Sequence, residues 1–145
     1  MDIQINKIKL GKSDRPEIYI ERFHNAACEE SKVIGDAADE VLTEAMQSLL
    51  SSMAETCFLS EDWESDGRVT GITFKHGDNG TGVVISGQMK VTHGEGAYVV
   101  NINTPYLQPD LIGPSEEMTI KRIQKAARDY LDSLPQQGDL FEQSA

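Results

Sequence analysis

Histidine and cysteine are the residue types in this chain best suited to nucleophilic or metal chemistry. They are His24, His76, His93, Cys28 and Cys57. No three of them fall within one short motif, so the sequence indicates neither a zinc site nor a nucleophile with its base. We expect exposed loop histidines and two reduced thiols, at least one of them packed in the core. A small enzyme is an alternative if His76 or His93, which bracket a hairpin, meets a carboxylate in a pocket.

Carboxylates cluster around the only tryptophan of the chain. Glu61, Asp62, Glu64 and Asp66 surround Trp63. A calcium loop of the EF-hand kind needs a set order of ligands with a central glycine, and that order is missing here. We expect a solvated acidic loop that holds no metal. Trp63 either docks onto the domain or waits for a partner, and docking is the preferred interpretation.

A glycine-rich stretch, "HGDNGTG", lies between two runs of β-forming residues. Glycines that cradle a phosphate are normally followed by a lysine and a helix, and neither is found here. A tight hairpin turn accounts for all the glycines. We therefore expect no nucleotide, no other cofactor and no catalytic residue from this stretch.

Two adjacent apolar residues stand in the polar C-terminal stretch "LPQQGDLFEQSA". Leu140 and Phe141 are preceded by Gln137 and Asp139, beyond the proline that should end the last helix. A mobile segment loses conformational entropy when it binds, and a compact apolar anchor offsets that loss. Adjacent Leu and Phe side chains can fill neighbouring pockets, while a glutamine fixes the register through its paired donor and acceptor.

The string "QGDLF" resembles the short peptide with which many bacterial and phage proteins bind the DNA polymerase sliding clamp. That peptide usually has glutamine, a variable residue that is often leucine, serine or aspartate, leucine and phenylalanine. Gln137, Asp139, Leu140 and Phe141 match it, and Gly138 stands where leucine is more usual, which should weaken binding. The resemblance implies the sliding clamp as partner and these four matching residues as the binding site. Alternatively, the pair folds back onto the domain or binds another partner.

The chain as a whole is faintly similar to small proteins carried by phages and prophages. The similarity lies in the order of its elements, with "NTPYL" near the second helix and "QGDLF" at the end. It implies a phage or mobile-element origin and adds no catalytic residue.

The charge balance limits the possible partners. With 13 basic and 24 acidic residues, the net charge is −11. A basic surface that follows phosphates is not available at the level of the whole molecule, so we expect no direct contact with nucleic acid. An acidic surface can instead imitate DNA and inhibit a nucleic-acid enzyme, which is the alternative function. The sequence has no signal-like or membrane-spanning apolar run, which predicts a cytoplasmic protein with no membrane contact.

Strand patterns dominate the first and the middle parts of the chain. Apolar residues come close to strict alternation in "IQINKIKL", with one slip of phase at Asn6 and Lys7, and "EIYIERF" follows after a turn, which predicts a hairpin. Residues 28–34 either continue this sheet or form a loop. The runs that flank the glycine turn form a second hairpin, with Ile72 and Phe74 facing Val83 and Ile85. The stretch "AYVVNIN" adds a further strand.

Two helices are predicted. The first follows Asp36 as N-cap, has Asp39 and Glu40 in its first turn, and runs for about five turns. Its apolar stripe is core packing, although its Met and Cys residues could suggest a ligand box. The stripe consists of Val41, Leu42, Ala45, Met46, Leu49, Leu50, Met53, Ala54 and Cys57. The second helix has Ser115 as N-cap and ends at Pro135. It should bury Ile120, Ile123, Ala127, Tyr130, Leu131 and Leu134.

These elements predict an α+β fold, in which two main helices pack on a mostly antiparallel sheet of about five to six strands. Residues 1–134 form a single domain, and residues 135–145 form a flexible tail that carries the interaction motif. The favoured function is that of a non-enzymatic accessory or modulator protein that binds the sliding clamp and acts in or on DNA replication or repair. The oligomeric state is not predicted.

Overall fold

The architecture is taken from a computed structural model that describes residues 2–24, 27–60 and 62–134. Within these ranges the strands are β1 (Asp2–Leu10), β2 (Pro16–His24), β3 (Ala27–Ile34), β4 (Gly67–Gly77), β5 (Gly80–His93) and β6 (Gly96–Asn103). The α-helices are α1 (Glu40–Gln47), α2 (Leu50–Cys57), α3 (Asp62–Asp66) and α4 (Pro114–Ser133). The strands form one antiparallel sheet in the order β3-β2-β1-β4-β5-β6. The predicted α+β class is confirmed.

The sheet consists of two three-stranded meanders joined by the pairing of β1 with β4. Both predicted hairpins are confirmed, and residues 28–34 continue the sheet as part of β3. In the second hairpin Ile72 lies opposite Ile85, and Phe74 lies opposite Val83, as the alternating pattern predicts. Period-two alternation places these residues on the face that the helices cover.

The helices pack against one face of the sheet and close a single core. Ile8, Ile18 and Ile72 contribute from the strands, and all three are almost fully buried. Met46 and Met53 are completely buried on α1 and α2, which confirms that methionine fills the core here. The buried residues of α4 are Ile120, Ile123, Ala126, Ala127, Tyr130 and Leu131.

The first predicted helix begins later than expected and is interrupted. Asp39, and not Asp36, is the N-cap, since its carboxylate accepts hydrogen bonds from the backbone N–H groups of Val41 and Leu42 at 3.0 and 3.5 Å. The helix then breaks at Ser48, whose hydroxyl donates to the Glu44 carbonyl at 3.1 Å. A serine that bonds back to the preceding turn bends a helix. Two helices of eight residues therefore replace the single long one.

The N-cap of the last helix lies two residues earlier than predicted. Gly113 is the N-cap and Pro114 occupies the first turn, where its missing N–H costs nothing. Ser115 is thus inside α4, which corrects the prediction that it caps the helix, while Glu116 and Glu117 do lie in the first turn. The helix ends at Ser133, as expected just before a proline. Pro135 itself lies outside the described residues.

Tyr130 connects α4 to the segment that precedes α1, and its ionisation lowers the stability of the fold at alkaline pH. Its hydroxyl donates to the Ala37 carbonyl at 2.9 Å. Burial raises the pKa of Tyr130 above its ordinary value, the hydrogen bond to Ala37 opposes this, and the charges of Asp36 and Asp39 raise the pKa further. The contribution to stability is complete below the pKa of the unfolded tyrosine. It is lost as pH rises above about 10, because the unfolded state ionises first.

We therefore expect Tyr130→Phe to remove part of the stability loss that the wild-type protein shows between about pH 9 and pH 11. Urea unfolding at several pH values in this window gives the free energy of unfolding at each pH. The effect is the difference between the two proteins in the slope of this free energy against pH. Tyr98→Phe is the matched control, since Tyr98 is exposed. A slope for Tyr130→Phe equal to that of the wild type would contradict this assignment.

Candidate functional site

The last helix, α4, ends at Ser133, four residues before Gln137, where the clamp-like motif begins in the sequence. Leu134 follows α4 in an extended conformation, and its N–H donates to the Leu131 carbonyl at 3.3 Å. Leu134 also packs against the hydrophobic core, so the chain is anchored at this point. The predicted binding residues Gln137, Asp139, Leu140 and Phe141 lie outside the described residues. Gln137 is three residues past the anchor, a span of at most about 11 Å.

His76 is the histidine whose side chain is described, and both of its ring nitrogens are engaged. Nε2 lies 2.9 Å from the Ile5 carbonyl oxygen, and Nδ1 lies 3.1 Å from the Thr81 hydroxyl. A carbonyl can only accept, so Nε2 carries the proton and donates it. His76 also stacks against Phe74, with ring centroids 6.2 Å apart. These hydrogen bonds link β4 to β1 and β5, and neither of the two partners is the carboxylate that the enzyme alternative requires.

The histidines also lie in strands, which corrects the expectation of loop positions. His76 is in β4, while His24 and His93 are the last residues of β2 and β5. The side chains of His24 and His93 are outside the description, so a contact between His93 and a carboxylate stays untested. Period-two alternation in "ITFKH" extends to residue 76 and is the signal that would have placed it in β4.

A bulge in β1 opens the sheet beside His76. The register of β1 with β2 shifts between Ile5 and Lys7, and β1 pairs with β4 only from Lys7 onward. The His76 ring crosses the resulting gap to reach Ile5. A groove of about 660 Å³ lies across β1, β2, β3 and β4 at this place. Its lining comprises Gln4, Asn6, Lys7, Tyr19, Ile20, Glu21, Glu30, Ser31, Lys32, Thr73, Phe74 and His76.

The electrostatics of this groove are mixed in sign. The ammonium groups of Lys7 and Lys32 lie 5.4 and 5.5 Å from the centroid of the Tyr19 ring. Lys32 also pairs with Glu17 at 3.0 Å, and the hydrogen bond to Glu17 is the main cause of its raised pKa. The charge of Lys32 is thus partly neutralised within the protein. The sequence alone does not reveal this arrangement, because it depends on the pairing of Lys7 with Tyr19 between β1 and β2.

Trp63 docks onto the domain, as the preferred interpretation predicted. Its segment is the short helix α3 and not the expected loop, and the tryptophan is completely buried. The indole Nε1 donates to the Leu50 carbonyl at 3.1 Å. Within the described residues, no three His, Cys, Asp or Glu side chains come together in a way that could hold a metal ion.

The glycine-rich stretch is a hairpin turn. Gly77 pairs with Gly80, which leaves Asp78 and Asn79 as the two turn residues between β4 and β5. Gly80 has a φ of 121°, a conformation that other residues rarely adopt. The turn leads into a strand and not into a helix, so the arrangement of a phosphate loop is absent from it.

The two cysteines are free thiols, but neither is packed in the core. Cys28 is exposed on β3, and Cys57 is half-buried because α2 ends there and the chain turns at Phe58. Burial raises the pKa of Cys57. Loss of solvation raises the pKa of Cys28, and the Glu21 carboxylate raises it further. Raised pKa values reduce the thiolate fraction at neutral pH, so neither thiol is an activated nucleophile.

Comparisons with known proteins leave the family of this chain open. No protein-family model matches the sequence, and no significant match is found among curated proteins or among solved structures. Within the described ranges, no helix combines the length and the apolar character needed to cross a bilayer.

Proposed function

We propose that this protein is a non-enzymatic accessory or modulator protein that binds the DNA polymerase sliding clamp through Gln137, Asp139, Leu140 and Phe141. The observation that carries the proposal is the motif itself, placed three residues after the anchored end of the last helix. We also propose a phage or mobile-element origin, a cytoplasmic location and a role in or on DNA replication or repair.

The position of the motif suits a peptide that is captured by another protein. Leu134 is held by α4 and by the core, while Pro135 and Gln136, the two residues between it and Gln137, provide a short spacer. The spacer keeps the motif close to the domain, so the domain accompanies whatever the motif binds. Leu140 and Phe141 supply the apolar anchor, and Asp139 with Gly138 keeps the free segment solvated. A peptide of this size is expected to bind in the micromolar range, about −8 kcal/mol.

The proposal is tested by titrating a purified bacterial sliding clamp with the full-length protein in a calorimeter. Leu140→Ala combined with Phe141→Ala should weaken binding at least tenfold, since both apolar anchors are lost. The matched control is Glu142→Ala combined with Gln143→Ala, which changes the same tail outside the motif and should bind as the wild type does. Equal affinities for the wild type and the Leu140/Phe141 variant would refute the proposal.

A second substitution separates clamp binding from a tail that folds back onto its own domain. Gly138→Leu restores the residue that clamp-binding peptides more often have at this place. It should tighten clamp binding several-fold while leaving the free energy of unfolding of the free protein unchanged. A stabilised free protein with unchanged clamp affinity would favour folding back.

The alternative function is an acidic inhibitor or DNA mimic that acts through the folded surface. It is favoured by one observation, the direct pairing of Glu21 with Glu30 on neighbouring strands. Like charges directly opposite each other in a sheet are destabilising. A basic partner would reduce the repulsion between these two carboxylates. Binding of this kind should fall steeply with ionic strength and survive deletion of residues 136–145. Binding through Leu140 and Phe141 should instead depend little on ionic strength and be lost when residues 136–145 are deleted.

A further inference from the structure

The two edges of the sheet have opposite character. The edge strand β3 carries Glu29, Glu30 and Lys32, and charges of this kind discourage pairing with another chain. The other edge strand, β6, has the sequence "GAYVVNIN" and no charged residue. Tyr98, Val99 and Val100 are 58%, 54% and 40% exposed on it. In the part of the chain that the structure describes, no strand pairs with the outer side of β6.

The direction of the free backbone groups on β6 follows from the hydrogen bond that comes just after it. The Thr104 N–H donates to the Ile85 carbonyl at 2.9 Å, so Thr104 faces β5. Antiparallel strands alternate between residues that bond inward and residues whose groups point outward. The outward residues of β6 are therefore Ala97, Val99, Asn101 and Asn103.

We propose that β6 is a dimerisation edge that pairs with β6 of a second copy of this chain. The outward residues are placed symmetrically about Val100, so an antiparallel pairing centred there uses all of them. Ala97 would bond with the partner's Asn103, and Val99 would bond with the partner's Asn101. Each such pair exchanges two backbone hydrogen bonds. The two six-stranded sheets become one continuous sheet of twice that number of strands.

The junction between the two β6 strands is called the seam. On the face of the sheet that carries the core, the side chains on the two sides of the seam are complementary. Val100 meets the partner's Val100 at the two-fold axis, and Tyr98 lies opposite the partner's Ile102. Met89 is the β5 neighbour of Val100 and already packs against the core. The dimer therefore extends the core face of each sheet across the seam. Exposed apolar and aromatic side chains on this edge become cross-strand pairs, which stabilise a sheet.

The local charge at β6 is compatible with a second copy of this chain as the occupant. Each chain has a net charge of −11, so two copies repel except where their surfaces are uncharged. The strand β6 provides an uncharged surface, and Lys90 is the charged residue directly beside it in register, opposite Val99. In the proposed pairing Lys90 lies beside Val99, and Val99 lies opposite the partner's Asn101. Lys90 therefore faces no charge of the same sign across the seam.

The size of the seam sets the expected strength of the dimer. A standard protein interface buries about 800 Å² per partner, and one edge strand of this length buries less than that. The dimer should therefore be weak, with a dissociation constant in the range of about ten to several hundred micromolar. Salt should strengthen it, because screening reduces the repulsion between two acidic chains while the seam itself carries no ion pair.

Val99→Pro removes one outward N–H and leaves the inward ladder intact, because Val99 does not bond to β5 through its backbone. Sedimentation of the full-length wild type between about 10 µM and 1 mM should show a monomer–dimer equilibrium. Val99→Pro should stay monomeric over this range, whereas the matched control Val99→Thr should dimerise like the wild type. Near-ultraviolet circular dichroism and the unfolding midpoint establish that each variant is folded.

A charge exchange at the two-fold axis then identifies the partner as a second copy. Val100→Lys and Val100→Glu should each be monomeric, since each places like charges opposite each other. An equimolar mixture of the two should form a heterodimer, because the pair across the axis becomes attractive. A wild type that remains monomeric at about 1 mM, a folded Val99→Pro that dimerises as the wild type does, or a mixture that stays monomeric would overturn the proposal.

Discussion

Trp63→Ala should lower the free energy of unfolding by about 3–5 kcal/mol, more than any other single truncation that we consider here. The side chain is completely buried, and its ring fits between two glycines of β4 and β5. A methyl group added at Gly67 would lie 2.5 Å from the ring, and one at Gly87 would lie 2.8 Å from it. Removal of the indole empties this slot and leaves the Leu50 carbonyl without the hydrogen bond from Nε1.

Thermal unfolding followed by far-ultraviolet circular dichroism measures the effect of Trp63→Ala. The midpoint should fall by roughly 10–15 °C for a chain of this size. Trp63→Phe should lose less, because it retains most of the ring and removes only the indole N–H. Gly87→Ala should be destabilising in the wild type and less so in Trp63→Ala, because the clash with the indole is gone while the 2.8 Å approach to the Arg68 carbonyl oxygen persists. Additive costs in the double variant would contradict the proposed contact.

The strands of this protein can be predicted because the patterns that specify them lie within short stretches of the sequence. Alternating apolar residues identify β1, β2, β4 and β5, and the glycine turn fixes the register of Ile72 with Ile85. A one-residue slip would move the apolar set to the uncovered face, so the pattern and the turn specify the same pairing. The α+β class follows from the same pattern.

The sequence-based predictions are wrong where two local signals compete, or where the deciding contact comes from a distant part of the chain. Asp36 and Asp39 are both plausible N-caps, and only the backbone geometry at Val41 decides between them. The helix α3 has five residues and a single apolar side chain, so no helical period can be read from its sequence. Trp63 makes that segment a helix by docking between Gly67 and Gly87, and neither glycine reveals this contact from its own neighbours.

The candidate binding residues pose the opposite problem, since the motif can be recognised without any fold. In the proposed clamp binding, the short peptide carries its own recognition chemistry, and Leu134, which packs against the core, precedes it in the chain. The exposed edge β6 was predicted as a strand, but its position at the end of the sheet comes from topology. Which strands end a sheet depends on the pairing of β1 with β4, which no local pattern specifies.

The two proposals have a joint consequence for affinity. A dimer through β6 would present two copies of the tail, and a ring-shaped clamp offers more than one groove of the same kind. If both tails engage one ring, the second binding event becomes intramolecular and the apparent affinity rises well above that of one peptide. Val99→Pro should then weaken binding to the whole clamp while it leaves binding to an isolated clamp subunit unchanged. This difference separates the contribution of the seam from that of the motif.

Gln47→Ala should lower the free energy of unfolding by about 2–3 kcal/mol, although glutamine at the end of a surface helix ordinarily tolerates substitution. The Gln47 side-chain amide donates to the Val69 carbonyl and its oxygen accepts from the Val69 N–H, both at 2.8 Å. Val69 is completely buried and lies two residues before Gly71, whose pairing with Lys9 is the last between β4 and β1. Gln47 therefore takes the place of a strand residue where β1 has ended, and its loss leaves two buried backbone groups without these partners.

Gln47→Met and Gln47→Glu separate the two parts of this role. Methionine keeps the volume but forms neither hydrogen bond, so its cost should approach that of alanine if hydrogen bonding dominates. Glutamate can still accept from the Val69 N–H, yet it brings a carboxylate oxygen against the Val69 carbonyl, and it should be the more destabilising of the two at neutral pH. Urea unfolding at about pH 7 and about pH 4 tests this, because protonation near the ordinary carboxyl pKa restores a donor and should recover part of the loss. If Gln47→Met were as stable as the wild type, the amide bridge to Val69 would not contribute to the fold.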